Sequence, residues 1–77
     1  MRRLILYTTE GCHLCELGAA LLRSMPELSR TPIDEVDIAL DEALLRRYGT
    51  RIPVLACDAR EKAWPFNAED VLELLGR

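Results

Sequence analysis

The run Tyr7-Thr8-Thr9-Glu10-Gly11-Cys12-His13-Leu14-Cys15 decides how this chain folds. Just before it, Leu4-Ile5-Leu6-Tyr7 is continuously apolar, as expected of a strand buried on both faces. Thr8-Thr9-Glu10-Gly11 ends that strand. From about Cys12 to Met25 the pattern turns helical, and Leu14, Leu17, Gly18, Leu21 and Met25 recur on one stripe, the expected buried face. Pro26 stops the helix, because the residue before a proline is driven out of the helical region. The two cysteines therefore fall where a buried strand hands over to a helix.

Outward from this junction the remaining elements follow. Ile33 to Ile38 reads as a second strand, with Val36 and Ile38 on one face and Asp37 on the other. Asp41 to Tyr48 reads as a short helix burying Leu44, Leu45 and Tyr48, and Gly49 is placed as its left-handed C-terminal residue. Pro53 to Cys57 is a third strand, Asp58 to Glu61 a turn, and Lys62 to Trp64 a short fourth strand. Asn67 and Asp70 have the spacing of a capping box, and Phe66 and Val71 that of a hydrophobic staple. Val71, Leu72 and Leu75 supply the buried face of that last helix. The order is β-α-β-α-β-β-α. The first β-α-β requires a right-handed crossover and parallel strands, and the short turn makes the last two strands antiparallel. The expected class is α/β, one mixed four-stranded sheet with helices on its faces, in a single domain spanning residues 1–77.

Composition narrows the function. The chain has 77 residues, 49% hydrophobic and 30% charged, with a formal net charge of −3. Those proportions suit a globular protein. No basic block exists to hold nucleic acid. Met1-Arg2-Arg3 precedes an apolar run too short for the core of a signal peptide, and no segment has the length of a membrane span. The expected location is the cytoplasm. In a reducing compartment a close cysteine pair reads as catalytic or metal-binding.

A thiol becomes a nucleophile only as a thiolate. At a helix N-terminus, unpaired backbone N–H groups and the positive end of the helix dipole stabilise a negative sulfur. Residues three apart in a first helical turn lie on one side, close enough for a disulfide. Cys12 can then attack a substrate disulfide, and Cys15 can resolve the mixed disulfide from within. His13, between them, either stabilises the thiolate as an imidazolium or is a solvent-exposed helix residue without a role.

With Tyr7 to Cys15 after a first strand and Arg51-Ile52-Pro53-Val54 opening a third, the sequence resembles the glutaredoxins within the thioredoxin superfamily. The closest likeness is to short bacterial glutaredoxin-like proteins with a Cys-His-Leu-Cys motif and a Tyr-Gly-x-Arg-Ile-Pro-Val-Leu segment, here Tyr48 to Leu55. The resemblance implies a three-layer thioredoxin-like fold and a disulfide oxidoreductase with Cys12 exposed and Cys15 more buried. It also implies a cis Ile52–Pro53 bond that turns the Ile52 backbone toward the cysteines to pair with an extended substrate segment. No bound cofactor is implied. Glutathione is a candidate reductant, but two departures count against it. Thr9 stands where glutaredoxins commonly have Lys, and Pro65-Phe66-Asn67-Ala68 replaces a Gly-Gly pair before the last helix. Arg51 is the residue that could partly supply the missing positive charge. His13-Leu14 also replaces the usual Pro-Tyr.

Two other readings stay open. One is a binding module that holds an extended peptide along Ile52 without turnover. The other is a metal or iron–sulfur site, for which Cys12, Cys15 and His13 fall short of a tetrahedral set unless Cys57 or a second chain contributes. Cys57 reads as a core residue. The expected partner is a disulfide-containing protein or a small thiol, with no nucleic acid or membrane, and the chain is expected to be a monomer.

Overall fold

The computed structural model describes residues 3–76, so Met1, Arg2 and Arg77 lie outside the described residues. In chain order, the elements are β1 (Leu4–Thr8), α1 (His13–Ser24), β2 (Ile33–Asp37), α2 (Glu42–Tyr48), β3 (Val54–Cys57), β4 (Arg60–Ala63) and α3 (Ala68–Leu74). Short 3-10 turns at Pro26–Leu28 and Ile38–Leu40 follow α1 and β2. The sheet order is β2-β1-β3-β4. β1 pairs parallel with β2, Leu6 opposite Glu35, and antiparallel with β3, Leu6 opposite Leu55. β3 and β4 form an antiparallel hairpin in which Val54 lies opposite Ala63. The fold is thioredoxin-like, as the element order anticipates.

Strand alternation divides the core between the two faces of the sheet. Leu4, Leu6, Leu55 and Cys57 join α1 and α3 through Leu22, Phe66, Val71 and Leu74. On the other face Val54 packs with Ile38 and Tyr48, and Tyr7, Leu44 and Ile52 border them. Each fully buried leucine or valine contributes roughly 1.5–3 kcal/mol through removal from water. The larger cluster therefore carries most of the stability, and it lies beneath the helix that follows the cysteines.

Several boundaries and faces differ from the sequence expectation. The buried face of α1 is Cys15, Gly18 and Leu22, while Leu14 and Leu17 are 45% and 43% exposed. Gly18 and Met25 of the expected stripe are buried and Leu21 borders the core, so the helix is turned away from Leu14 and Leu17 toward Cys15 and Leu22, with Gly18 seated close on Pro53 and Phe66. β2 stops at Asp37, because its carboxylate caps the 3-10 turn by accepting from Ala39 N at 2.9 Å. β3 begins at Val54 rather than Pro53, and β4 spans Arg60–Ala63 rather than Lys62–Trp64. The hairpin turn is tighter than expected, since Asp58 takes a left-handed φ of 55°, a conformation aspartate tolerates. Gly49 is right-handed, φ −50°, not left-handed. Its glycine is required by proximity: a Cβ there would stand 2.5 Å from the Leu45 carbonyl oxygen. Leu45 is exposed, whereas Tyr48 is buried. In α3 the expected capping box is present, Asn67 and Asp70 exchanging hydrogen bonds of 2.9 and 3.0 Å, and Leu74 joins the buried face while Leu72 is only partly covered.

Candidate functional site

Gly11 makes the junction possible. Its φ of +74° turns the chain out of β1, a conformation glycine adopts without steric penalty. Cys12 then occupies the N-cap of α1 with extended backbone, φ −98° and ψ 105°. Its Sγ accepts a hydrogen bond from the Cys15 N–H at 3.2 Å, so the sulfur does the work usually done by a serine or aspartate oxygen. Cys12 and Cys15 are joined as a disulfide, with Cα atoms 5.2 Å apart. The two sulfurs are unequally placed. Cys12 is partly exposed, and Cys15 is 3% exposed on the inner face of α1. An incoming group therefore meets Cys12 first. A negative charge on that sulfur would be held by the helix N-terminus.

His13 is the first residue of α1 and stands in solvent, its side chain 79% exposed and its Nδ1 3.7 Å from a Glu16 carboxylate oxygen. Cys57 lies elsewhere. It follows Ala56, which pairs with Ile5 near the start of β1, whereas Cys12 follows the end of β1. Among the described residues no three His, Cys, Asp or Glu side chains are grouped to hold a metal ion.

The Arg51-Ile52-Pro53 segment reaches the same end of the molecule by another route. The Ile52–Pro53 bond is cis, and so is Trp64–Pro65, which the sequence reading did not anticipate. Pro53 packs on α1 one turn beyond Cys15: a Cβ on Gly18 would lie 3.1 Å from Pro53 Cγ and 3.5 Å from Phe66 Cζ. The Pro53 carbonyl accepts from Trp64 N at 2.9 Å, and Arg51 N donates to the Tyr48 carbonyl at 2.8 Å, so the segment is anchored at both ends. Glu61 of β4 gathers the surrounding polar groups. It accepts from the Tyr48 hydroxyl and lies 3.6 Å from Arg47 and 3.9 Å from Arg51. Tyr48 also stacks on Tyr7, centroids 4.3 Å apart, and both arginines lean over its ring. Burial, the hydrogen bond to Glu61 and the charge of that carboxylate push the Tyr48 phenol up to about 12. Arg51 is therefore half-exposed but engaged with a carboxylate.

Sequence reasoning overlooked a cleft of about 660 Å³ on the other side of the cysteines. Both cysteines line it, together with Glu10 and Glu16 around the start of α1, Arg23 further along that helix, and Glu35 and Asp37 from β2. Thr9 Oγ1 donates to Asp37 Oδ1 at 3.0 Å and ties the turn before Cys12 to the end of β2. The parallel pairing of β1 with β2 brings these groups together across a gap of 28 positions in sequence. The only local signal was the period-2 placement of Glu35 and Asp37.

A family model described as "Glutaredoxin-like domain (DUF836)" matches residues 3–76. The fold is also shared with solved structures. The X-ray structure of Northeast Structural Genomics target protein XcR50 from X. campestris is 35% identical, with 95% of each chain covered and a TM-score of 0.79. The solution structure of protein Ne2328 from Nitrosomonas europaea is 36% identical, covers 94% of this chain and 87% of its own, and has a TM-score of 0.75. No curated protein matches this chain.

Proposed function

Since the chain belongs to the glutaredoxin-like domain family, we propose that it is a thiol–disulfide oxidoreductase working through Cys12 and Cys15. The observation that carries this reading is the asymmetric pair at the start of α1: a partly exposed sulfur at the cap, bonded to a buried sulfur one turn on. In the reduced protein the Cys12 thiolate attacks one sulfur of a substrate disulfide, and the other sulfur leaves as a thiolate that takes up a proton. The Cys15 thiol loses its proton and attacks Cys12 Sγ, which closes the internal disulfide and releases the second substrate thiol. Two electrons pass from the dithiol to the substrate. Two equivalents of an external thiol, or one dithiol, restore the protein dithiol by the reverse exchange and leave as a disulfide.

Pro53 and Ile52 form the wall against which the substrate lies. The Ile52 backbone offers its N–H and C=O to an extended segment, as in strand addition. Arg51 supports that wall through Glu61 rather than serving as an open anion site. His13 stands in solvent beside Glu16 at the mouth of the site.

The test is turnover of a model disulfide with wild type, Cys12→Ser and Cys15→Ser. Cys12→Ser should abolish reduction. Cys15→Ser should accumulate a mixed disulfide on Cys12, visible as a mass increase of one substrate half. Wild-type turnover by Cys12→Ser would overturn the assignment.

A further inference from the structure

We propose that the cleft beside the disulfide selects substrates whose disulfide is flanked by positive charge, in the form of an extended peptide segment carrying Lys or Arg next to its cysteine. This rests on the oxidoreductase reading and names its substrate class. The site is the cleft into which the Cys12–Cys15 disulfide opens. Four carboxylates line it, Glu10, Glu16, Glu35 and Asp37, against one guanidinium, Arg23. His13, when protonated, faces Glu16 and offsets only that carboxylate. Other cations are engaged elsewhere: Arg47 and Arg51 share Glu61, and Arg3, before the far end of β1, pairs with Asp34 at 2.9 Å. None of these three lines the cleft.

A concave surface with an excess of negative charge raises the local concentration of cationic groups beside the sulfurs that line it. A substrate must bring its disulfide to Cys12 through that field. An anionic disulfide is repelled just where the attacking thiolate adds a further negative charge, and a cationic one is drawn in. Asp37 is held in place by Thr9 and by Ala39 N, so its charge is fixed at the cleft wall. The selectivity should appear in the rate of capture and weaken with salt, because exposed charges are screened beyond about 8 Å at physiological ionic strength.

The experiment uses the reduced full chain and symmetrical disulfides of three short peptides, each with one cysteine flanked by Lys, by Gln or by Glu. Each rate constant is divided by that of dithiothreitol with the same peptide, which removes intrinsic reactivity. Cystamine, a small cationic disulfide, is a fourth substrate. The normalised rate should be about tenfold higher for the Lys peptide than for the Gln peptide, lower still for the Glu peptide, and the spread should collapse at high salt. Glu10→Gln combined with Glu35→Gln should shrink the Lys-to-Gln ratio severalfold. Glu42→Gln combined with Glu69→Gln, the same charge change outside the cleft, should not. The proposal is overturned if the three peptides react alike, if the Glu peptide is favoured, if both double variants shrink the ratio equally, or if only cystamine is accelerated. Failure of every disulfide to react, with Cys12→Ser behaving as wild type, instead removes the oxidoreductase reading and takes this one with it.

Discussion

Cys12 shows how much one residue can do at a helix start. It ends an extended segment, caps α1 through its sulfur and carries the bond that the proposed chemistry makes and breaks. Tyr48 shows the opposite case, a residue whose value lies entirely in tertiary contacts. Its phenol, raised to about 12 by burial and by Glu61, is neutral in the folded protein at pH values where an unfolded tyrosine has already ionised. The stability this contributes is fully present below about pH 10, the ordinary tyrosine value, and is lost as pH rises through the folded value near 12. Urea unfolding of wild type and Tyr48→Phe across pH 9 to 12 should show the two curves converging at the alkaline end. A constant separation between them would remove the titration of Tyr48 from the explanation. The Cys12 half of this pairing was legible from spacing alone. The Tyr48–Glu61 half was not, since Glu61 reads as an ordinary turn residue until the hairpin folds back beside α2.

At the scale of elements, α1 and α3 are placed by different means. α3 is specified locally: Asn67 and Asp70 satisfy each other's backbone donors, and Phe66 and Val71 bury the helix start in the same core. Replacing Asn67 with Ala should lower stability by about 1 kcal/mol, measured as a shift in the urea midpoint without a change in slope. α1 is placed by contact. Gly18 sits against Pro53 and Phe66 with no room for a larger side chain, so Gly18→Leu should destabilise the fold by about 1–3 kcal/mol. The same variant should slow disulfide turnover, because it pushes the cysteine-bearing helix away from Pro53. Leu→Ala changes at Leu14 and Leu17, which the sequence pattern had placed in the core, should have little effect on stability because both side chains are nearly half exposed.

For the whole molecule the question is whether the disulfide holds the fold together. It closes a loop of only a few residues, so its chain-entropy contribution is at most about 2 kcal/mol. The large core cluster lies between the sheet and the α1 and α3 pair and includes neither cysteine of the pair. The reduced protein should therefore remain folded, with the far-UV circular dichroism of the oxidised form and an unfolding free energy lower by no more than that amount. A globally unfolded reduced state would mean that the pair is structural rather than exchangeable. No helix of the described residues is long and apolar enough to cross a membrane.

The order of elements, the parallel β1–β2 pairing, the caps of α3 and the placement of both cysteines at a helix start follow from the sequence by itself. The elements depend on residues close in the chain (an apolar run, a proline stop, a short hairpin, a capping pair), and the parallel pairing follows from the handedness of the crossover that joins β1 to β2. The rotation of α1, the reason for Gly49, the Glu61 cluster behind Arg51 and the acidic wall beside the disulfide were decided only by the tertiary structure. These depend on surfaces from distant segments meeting at a few ångströms. No local period encodes which flank of Gly18 turns inward with it, or which carboxylates on separate elements end up sharing one cleft.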